Sequence, residues 1–581
     1  MEDLSIPEVP GSNPGSPISQ LFYTLFLNLY MDYFRKLVAK SISESANLDE
    51  KKIYQLLEYN DKNDRGDICL PCFTLGKKIN PGNIALNLRK KIVLPKQIER
   101  AEVMGPYINF FIKKEFLVNF ISKDVIKNKN KFGSKNIGRN KKIVIEHTSI
   151  NPNASPHIGR ARNAIIGNSI SKLYEFFNYK PEIHYFVNDI GKQIAMLVYA
   201  AGGKSYKFEE LLDLYKSIND KVKENENLEK EILMLLYKFE NGDKKVIKEF
   251  NKIVKVAVKG ITNILGKLNI NYDSFDYESD YLQNNKVSRV ISKLNKTGKL
   301  FEDEEGRFAL DLSEYNLPMK NPVMILTRSD KTSLYGLRDI AYAIDKQKIS
   351  KTNIAVIGEE QKLYTKQVNS ALDILNKSPI EIIHYSLVLG KDGKLSTRKG
   401  NVPLLSDLLD EVYELAKKEI SSRSKGKRSN SNKIGNAAII YSMLRVSPEK
   451  NVVFNPEQAV KFEGDTGPYQ LYTYARINSL LKKSSNGNVN SKLVNEAELD
   501  LIKFIAKFPN ITEKAMLTKK TNLVPNYCSE LCQKFNSYYS QNIIISDDKN
   551  LTNHRIGLIK LVKQVIKNSM FIMGIETIKE M

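Results

Sequence analysis

His157, Gly159 and Arg160 stand where a short apolar run, 143–145, gives way to a segment broken by Asn151, Pro152, Asn153 and Pro156, and then to a stretch, 161–174, with apolar residues at helical spacing. Strand, polar loop and helix in that order leave free backbone N–H groups and the positive end of a helix dipole facing the loop, where a phosphate is favoured. Gly159 lets backbone come close to such a group, and an imidazole and a guanidinium flank it. A lone turn of this kind is more often an ordinary α/β crossover than a nucleotide site. A second basic segment, KDGKLSTRKGN at 391–401, sets Lys394, Ser396, Arg398 and Lys399 between glycines, a composition suited to a loop that closes over an anion.

Such side chains need a sheet to position them. Pro181 to Val187 reads as a second strand, followed by Asn188-Asp189-Ile190-Gly191-Lys192-Gln193 at a helix start. Further strand candidates lie at 276–279, 308–311, 323–326 and 355–358, separated by helices, and 384–389 leads into the second basic segment. Repeated strand–loop–helix units imply a parallel nucleotide-binding sheet. Residues 204–259 differ: they are highly charged with helical spacing, as in a solvated helical insertion. From 434 to 581 the pattern is helical almost throughout, and Tyr469 and Tyr472 at i,i+3 beside a Gly-Pro turn offer aromatic faces for unpaired bases, although such a pair taken alone more often packs in a bundle.

A chain of 581 residues exceeds what one core serves. The expected division is a flexible tail at 1–20, an N-terminal domain at 21–126, a catalytic domain at 127–410 carrying a helical insertion at about 204–265, a basic linker at 411–433 and a helical domain at 434–581. The 89 Lys and Arg exceed the 66 Asp and Glu by 23, spread along the chain, which suits a polyanionic partner or reflects a Lys- and Asn-rich proteome. Four cysteines argue for a reducing compartment. Cys69 and Cys72 have the spacing of half a zinc site without a second pair, so no zinc is expected. The apolar run at 21–31 is too short to span a bilayer, and the first twenty residues carry no basic side chain, so neither a membrane anchor nor a targeting peptide is expected. A cytoplasmic monomer is the expectation.

The His-Ile-Gly and Lys-Leu-Ser-Thr-Arg segments resemble the two signature motifs of class I aminoacyl-tRNA synthetases. With Glu146 to Asn151, the stretch LYGLRDIAY at 334–342, and GPYQLY at 467–472 followed by Ala475-Arg476-Ile477, the chain resembles the arginyl-tRNA synthetases from about Phe22 onward. That resemblance implies a class I Rossmann-type α/β catalytic core, an α+β N-terminal tRNA-binding domain and an all-α C-terminal anticodon-binding domain. It implies activation of L-arginine with ATP and Mg²⁺, dependent on bound tRNA, and transfer to the 2′-hydroxyl of the terminal adenosine of tRNA(Arg).

The resemblance assigns His157, Gly159, Arg160, Lys394 and Ser396 to ATP, with Arg398 and Lys399 closing over pyrophosphate. The family's second His is Arg160 here, which can donate to phosphate but cannot act as a neutral imidazole. Glu278, Tyr335 and Asp339 match the guanidinium side of the arginine pocket, supported by Glu146, while Ser149, Asn151 and Gln361 match its α-amino and carboxylate end. Asn109, in a G-P-x-I-N-F-like strand, and Tyr469, Tyr472 and Arg476 match tRNA contacts. The rivals are another class I synthetase such as the cysteine enzyme, which normally needs a zinc pocket, and a synthetase-like protein that binds RNA without catalysis.

Overall fold

A computed structural model describes residues 29–60, 65–73, 75–76, 79–153, 155–390, 393–394, 404–422, 430–484 and 486–580 of the chain. Of the residues singled out above, Ser396, Arg398 and Lys399 lie outside this set, as does the tail at 1–20. The described chain divides into two compact units. One joins the residues up to Ser134 with Ile477–Thr518 and Glu530–Ile566, and the other joins Lys135–Arg476 with Lys519–Ser529 and Lys567–Met581.

The second unit is built on a five-stranded parallel sheet. In chain order its elements are β1 (Lys142–Glu146), α1 (Ile158–Phe176), β2 (Lys180–Val187), α2 (Lys192–Ala201), α3 (Leu211–Glu224), α4 (Glu226–Glu240), α5 (Lys244–Gly266) and β3 (Ser274–Tyr277). Then come α6 (Tyr335–Ile349), β4 (Asn353–Gly358), α7 (Lys362–Ile374), β5 (Glu381–Tyr385), β6 (Val388–Gly390), β7 (Gly393–Lys394), α8 (Leu405–Ser421) and α9 (Ser431–Leu444). The strand order is β5-β4-β1-β2-β3. Val144 pairs with Glu182 on one side and Asn353 on the other. Chain direction across the sheet therefore reverses beside β1, the switch point where open α/β sheets bind ligands beyond their carboxyl ends.

Both faces of β1 are covered: Ile143, Val144 and Ile145 are fully buried, as a strand sandwiched between helices requires. Two boundaries differ from expectation. The strand expected at 276–279 runs from Ser274 to Tyr277 because the Asp189 carboxylate caps Ser279 at both its backbone N–H and its hydroxyl, starting a helical turn and leaving Glu278 at the junction. The segment expected as a linker from 411 opens as helix, since Leu405, Leu408, Leu409, Val412, Ala416 and Ile420 recur at helical spacing and are buried.

In the first unit an antiparallel sheet orders Glu58–Tyr59, Ile68–Pro71, Tyr107–Ile112 and Ile98–Met104. The tight turn between its last two strands uses Gly105 at φ +57. Cys69 and Cys72 are buried here, and burial pushes both thiols up to about 11. Among the described residues no three His, Cys, Asp or Glu side chains converge on a metal position.

Candidate active site

The loop from β1 to α1 is held in a conformation that L-residues resist. Thr148 and Ser149 have φ of +87 and +43, each costing about 1–3 kcal/mol, so neighbours must over-determine them. Asn163 of α1 does so: its amide oxygen accepts from the Thr148 N–H at 2.5 Å and its amide nitrogen donates to the Val356 carbonyl of β4 at 2.7 Å. The Thr148 hydroxyl meets Tyr272 at 2.6 Å and His147 Nδ1 at 2.8 Å. His147 in turn packs against bare backbone, for a Cβ at Gly167 would lie 2.4 Å from its ring.

His157 is the N-cap residue of α1, with no side-chain cap bond. Burial, reinforced by the Arg160 charge, lowers its imidazole to about 4, so it is neutral at physiological pH. A neutral ring has one N–H to donate and one lone pair, enough to orient a ligand at the helix start without repelling the adjacent guanidinium. Arg160, the departure from the family motif, donates to the Ser149 carbonyl at 3.3 Å and so braces the strained loop. Asn151 and Asn153 both donate to Gln193 at 3.1 Å, tying the loop to α2.

Arg162 is fully buried. It donates to the Ser386 carbonyl at 2.6 Å and the Ser447 carbonyl at 3.1 Å, linking α1 to the chain just before β6. The hairpin of β6 and β7 pairs Leu389 with Lys394, which places the backbone of the second basic motif.

Three carboxylates gather at the carboxyl ends of the strands. Glu146 at the end of β1 is ion-paired with Lys346 of α6, whose side chain is 2% exposed. Glu278, 2% exposed, lies 2.8 Å from the Arg338 guanidinium. Asp339 accepts from the Tyr364 hydroxyl and has no ion pair among the described residues. Burial pushes Glu278 up to about 8 against the opposing charge of Arg338, with Asp339 adding to the rise. Burial likewise raises Asp339 to about 6, with the Tyr364 bond working against it and the Glu146 charge with it. With all three ionised, as a cationic ligand would hold them, two cations answer three carboxylates, and Asp339 is the one without an ion pair among the described residues.

Tyr335, 57% exposed at the start of α6, presents its ring 5.0 Å from Tyr364. Ser149 and Gln361 are exposed. A second buried group lies beneath: Asp276 accepts from Tyr342 at 2.8 Å and contacts His184 Nδ1 at 2.5 Å. Burial opposes protonation of His184, but the bond to Asp276 and its charge raise the ring above its ordinary value.

The expected RNA contacts are placed unevenly. Asn109 is 4% exposed and its amide oxygen accepts from Asn60 at 3.3 Å, so its side chain is turned into the sheet. Its neighbours Phe73 and Tyr107 form an edge-to-face pair at 5.4 Å, with Phe73 exposed. Tyr469 and Tyr472 are half-buried on the helix Gly467–Lys483, and Arg476 lies 4.6 Å over the Tyr472 ring while donating to its hydroxyl at 3.0 Å. Phe535 is fully buried, a core residue. Sequence reasoning missed Arg162, Asn163, Lys346, Arg338 and Tyr364. The first two stood out only as polar residues on an otherwise apolar helix, and the others reveal themselves through partners 25 to 200 positions away.

Family models match nearly the whole chain. One described as tRNA synthetases class I (R), catalytic domain, matches residues 122–455; the Arginyl tRNA synthetase N terminal domain matches 32–112; the DALR anticodon binding domain matches 470–581. A curated arginine–tRNA ligase of Methanococcus aeolicus is 34% identical, covering 94% of this chain and 98% of its own. One from Clostridium perfringens is 33% identical, covering 95% and 100%. Among solved structures, an arginyl-tRNA synthetase of Thermus thermophilus superposes with a TM-score of 0.81 at 21% identity, covering 94% of this chain and all of that one. That of Plasmodium falciparum reaches 0.77 at 18%, covering 95% and 99%. These superpositions show a shared fold.

Proposed function

Because the chain belongs to the class I arginyl-tRNA synthetases and is an arginine–tRNA ligase, we propose that its selectivity rests on the unbalanced charge at Asp339. The reaction joins the arginine carboxylate to the α-phosphorus of ATP with release of pyrophosphate, then transfers the arginyl group from the adenylate to a hydroxyl of the terminal adenosine of tRNA(Arg), with AMP as the leaving group. No protein base is needed for the first step; positioning and positive charge carry it.

The planar guanidinium of the substrate completes the charge balance left by Glu146, Glu278 and Asp339, with Lys346 and Arg338 already in place. Tyr335 covers the open side, and Ser149, Asn151 and Gln361 face the α-amino and carboxylate end. At the α1 N-terminus the free N–H groups around Gly159, neutral His157 and Arg160 receive the triphosphate. Lys394, Ser396, Arg398 and Lys399 close over the leaving pyrophosphate. Mg²⁺ enters on the triphosphate as part of that substrate. Residues 32–112 and the helical segment from 470, with Tyr469, Tyr472 and Arg476 at its edge, engage tRNA(Arg).

What carries this reading is that Asp339, alone of the three carboxylates, has no ion pair among the described residues. L-citrulline, the neutral counterpart of arginine, tests it: pyrophosphate exchange with citrulline should fall at least about 10³-fold below that with arginine in kcat/KM, since a buried carboxylate would remain unpaired. Exchange with citrulline comparable to that with arginine would overturn this reading.

A further inference from the structure

The inward face of α5 is fixed by packing: Val246, Phe250, Ile253, Val254, Ala257, Val258, Ile261 and Leu265 are buried, and the helix lies against α2 and α4. Its outward face is then determined. Lys244, Lys245, Lys248, Lys252, Lys255 and Lys259 are all exposed. At about 100° per residue these six fall within an arc of about 100°, and they run about 22 Å along the helix. Glu249, at the flank of that arc, is the only acidic residue of α5.

Elsewhere in the same helical block charges are mixed and paired. Glu229 of α4 meets Lys192, Glu231 meets Tyr199, Glu240 meets Arg328, and Asp220 of α3 meets Lys223. No ion pair is found for the six α5 lysines among the described residues; Lys252 donates to the Gly203 carbonyl at 3.0 Å. Like charges at i,i+4 (Lys244 with Lys248, Lys248 with Lys252, Lys255 with Lys259) destabilise a helix. The row therefore opposes its own helix unless a polyanion lies along it.

We propose that the outward face of α5 is a docking strip for the sugar–phosphate backbone of the tRNA substrate, independent of base sequence; this rests on the tRNA ligase reading above. Lysine ammoniums are point charges with flexible stems, suited to phosphates and not to bidentate reading of base edges. Asn251 flanks the arc, Asn263 follows it beyond Lys259, and the arc carries no exposed apolar side chain, so it has nothing to insert into a bilayer. The strip is joined to the site: after α5 the chain passes through buried Leu268 and Ile270 to Tyr272, whose hydroxyl holds Thr148 in the strained loop.

The test uses the full chain and a tRNA(Arg) transcript as probe. Affinity is measured from 50 to 200 mM salt for wild type, for K244Q/K248Q/K252Q/K255Q/K259Q, and for a control that neutralises five exposed lysines of α3 and α4, K216Q/K221Q/K223Q/K230Q/K238Q. Each lost phosphate contact lowers the slope of log affinity against log salt by roughly 0.7–0.9. The strip variant should lose about 3.5–4.5 from that slope and bind at least about tenfold more weakly at 0.1 M salt, with kcat at saturating tRNA unchanged. Lys252→Gln alone should lose about 1 or less, and the control much less than the strip variant. A strip slope change equal to the control's overturns the proposal. So does an unchanged tRNA slope with lost binding to polyglutamate or anionic vesicles, which would assign the strip to an acidic protein or a membrane. Arginine-dependent pyrophosphate exchange by wild type reports on the ligase reading separately: its absence would sink that reading, whereas the slopes decide the strip.

Discussion

In the proposed reading, Asp339 concentrates the choice of substrate in one group. Asp339→Asn keeps the size and the Tyr364 neighbour but removes the charge that awaits the guanidinium, so KM for arginine in pyrophosphate exchange should rise about 30-fold to 5 × 10³-fold, the cost of unpairing one buried charge at about 2–5 kcal/mol. An Asp339→Asn enzyme with wild-type arginine KM would remove this residue from the pocket. The raised carboxyls also predict a pH dependence. With Asp339 held at about 6 and Glu278 at about 8, the free site carries protons near neutrality that the guanidinium must displace. KM for arginine should fall as pH rises from about 6 to about 8 and flatten above, and calorimetry in buffers of different ionisation enthalpy should show protons released on arginine binding at pH 7. Proton uptake would contradict it. For stability the sign is opposite: the folded state holds these protons beyond the ordinary carboxylate value, so stability of the free protein falls as pH rises from the ordinary carboxylate range to about 6 for Asp339 and to about 8 for Glu278.

The β1–α1 loop shows how one helix sets a site. Asn163 satisfies two backbone groups of other elements, and Asn163→Ala would orphan both at about 1–3 kcal/mol each. Thermal unfolding should shift downward and KM for ATP should rise, because relaxed Thr148 and Ser149 would no longer hold the loop. An unchanged melt with unchanged ATP KM would show that the loop stands without Asn163. Gly167→Ala acts on the same loop from beneath: a methyl 2.4 Å from the His147 ring forces the imidazole to move, with a cost of about 1–3 kcal/mol. At this scale the sequence was legible where the signal was local. The apolar run at 143–145, the prolines and asparagines after it and Gly159 announced strand, loop and helix start. The rest was hidden because it depends on distant partners: Glu278 meets Arg338, and Arg162 meets Ser386, through folding of segments whose local patterns carry no trace of each other.

Across the whole molecule the succession of an N-terminal domain, a nucleotide-binding core and a helical end was readable from shifts in periodicity, and family models match each part. The grouping of 477–518 and 530–566 with the residues up to 134 was not, since it rests on long-range packing such as the Phe132–Phe508 ring pair at 6.1 Å and the bond from Thr512 to the Gly133 carbonyl at 2.6 Å. Within that unit Glu498, fully buried, accepts from Tyr538 at 2.7 Å and His554 at 3.0 Å. Burial alone would raise its carboxyl, but the His554 bond and its companions hold it below the ordinary value. Its contribution is therefore present above the usual carboxylate range and lost as pH falls through the folded value. Glu498→Ala should cost about 3–5 kcal/mol and flatten the acid limb of the unfolding profile; an unchanged acid limb would exclude this network as its source. The central claim, that charge balance in this core selects arginine and that tRNA enables its activation, is tested most directly by ATP–pyrophosphate exchange with each of the twenty amino acids, with and without total tRNA. Exchange with arginine alone, and only when tRNA is present, is the expected result; exchange with another amino acid, or none with tRNA bound, would contradict it.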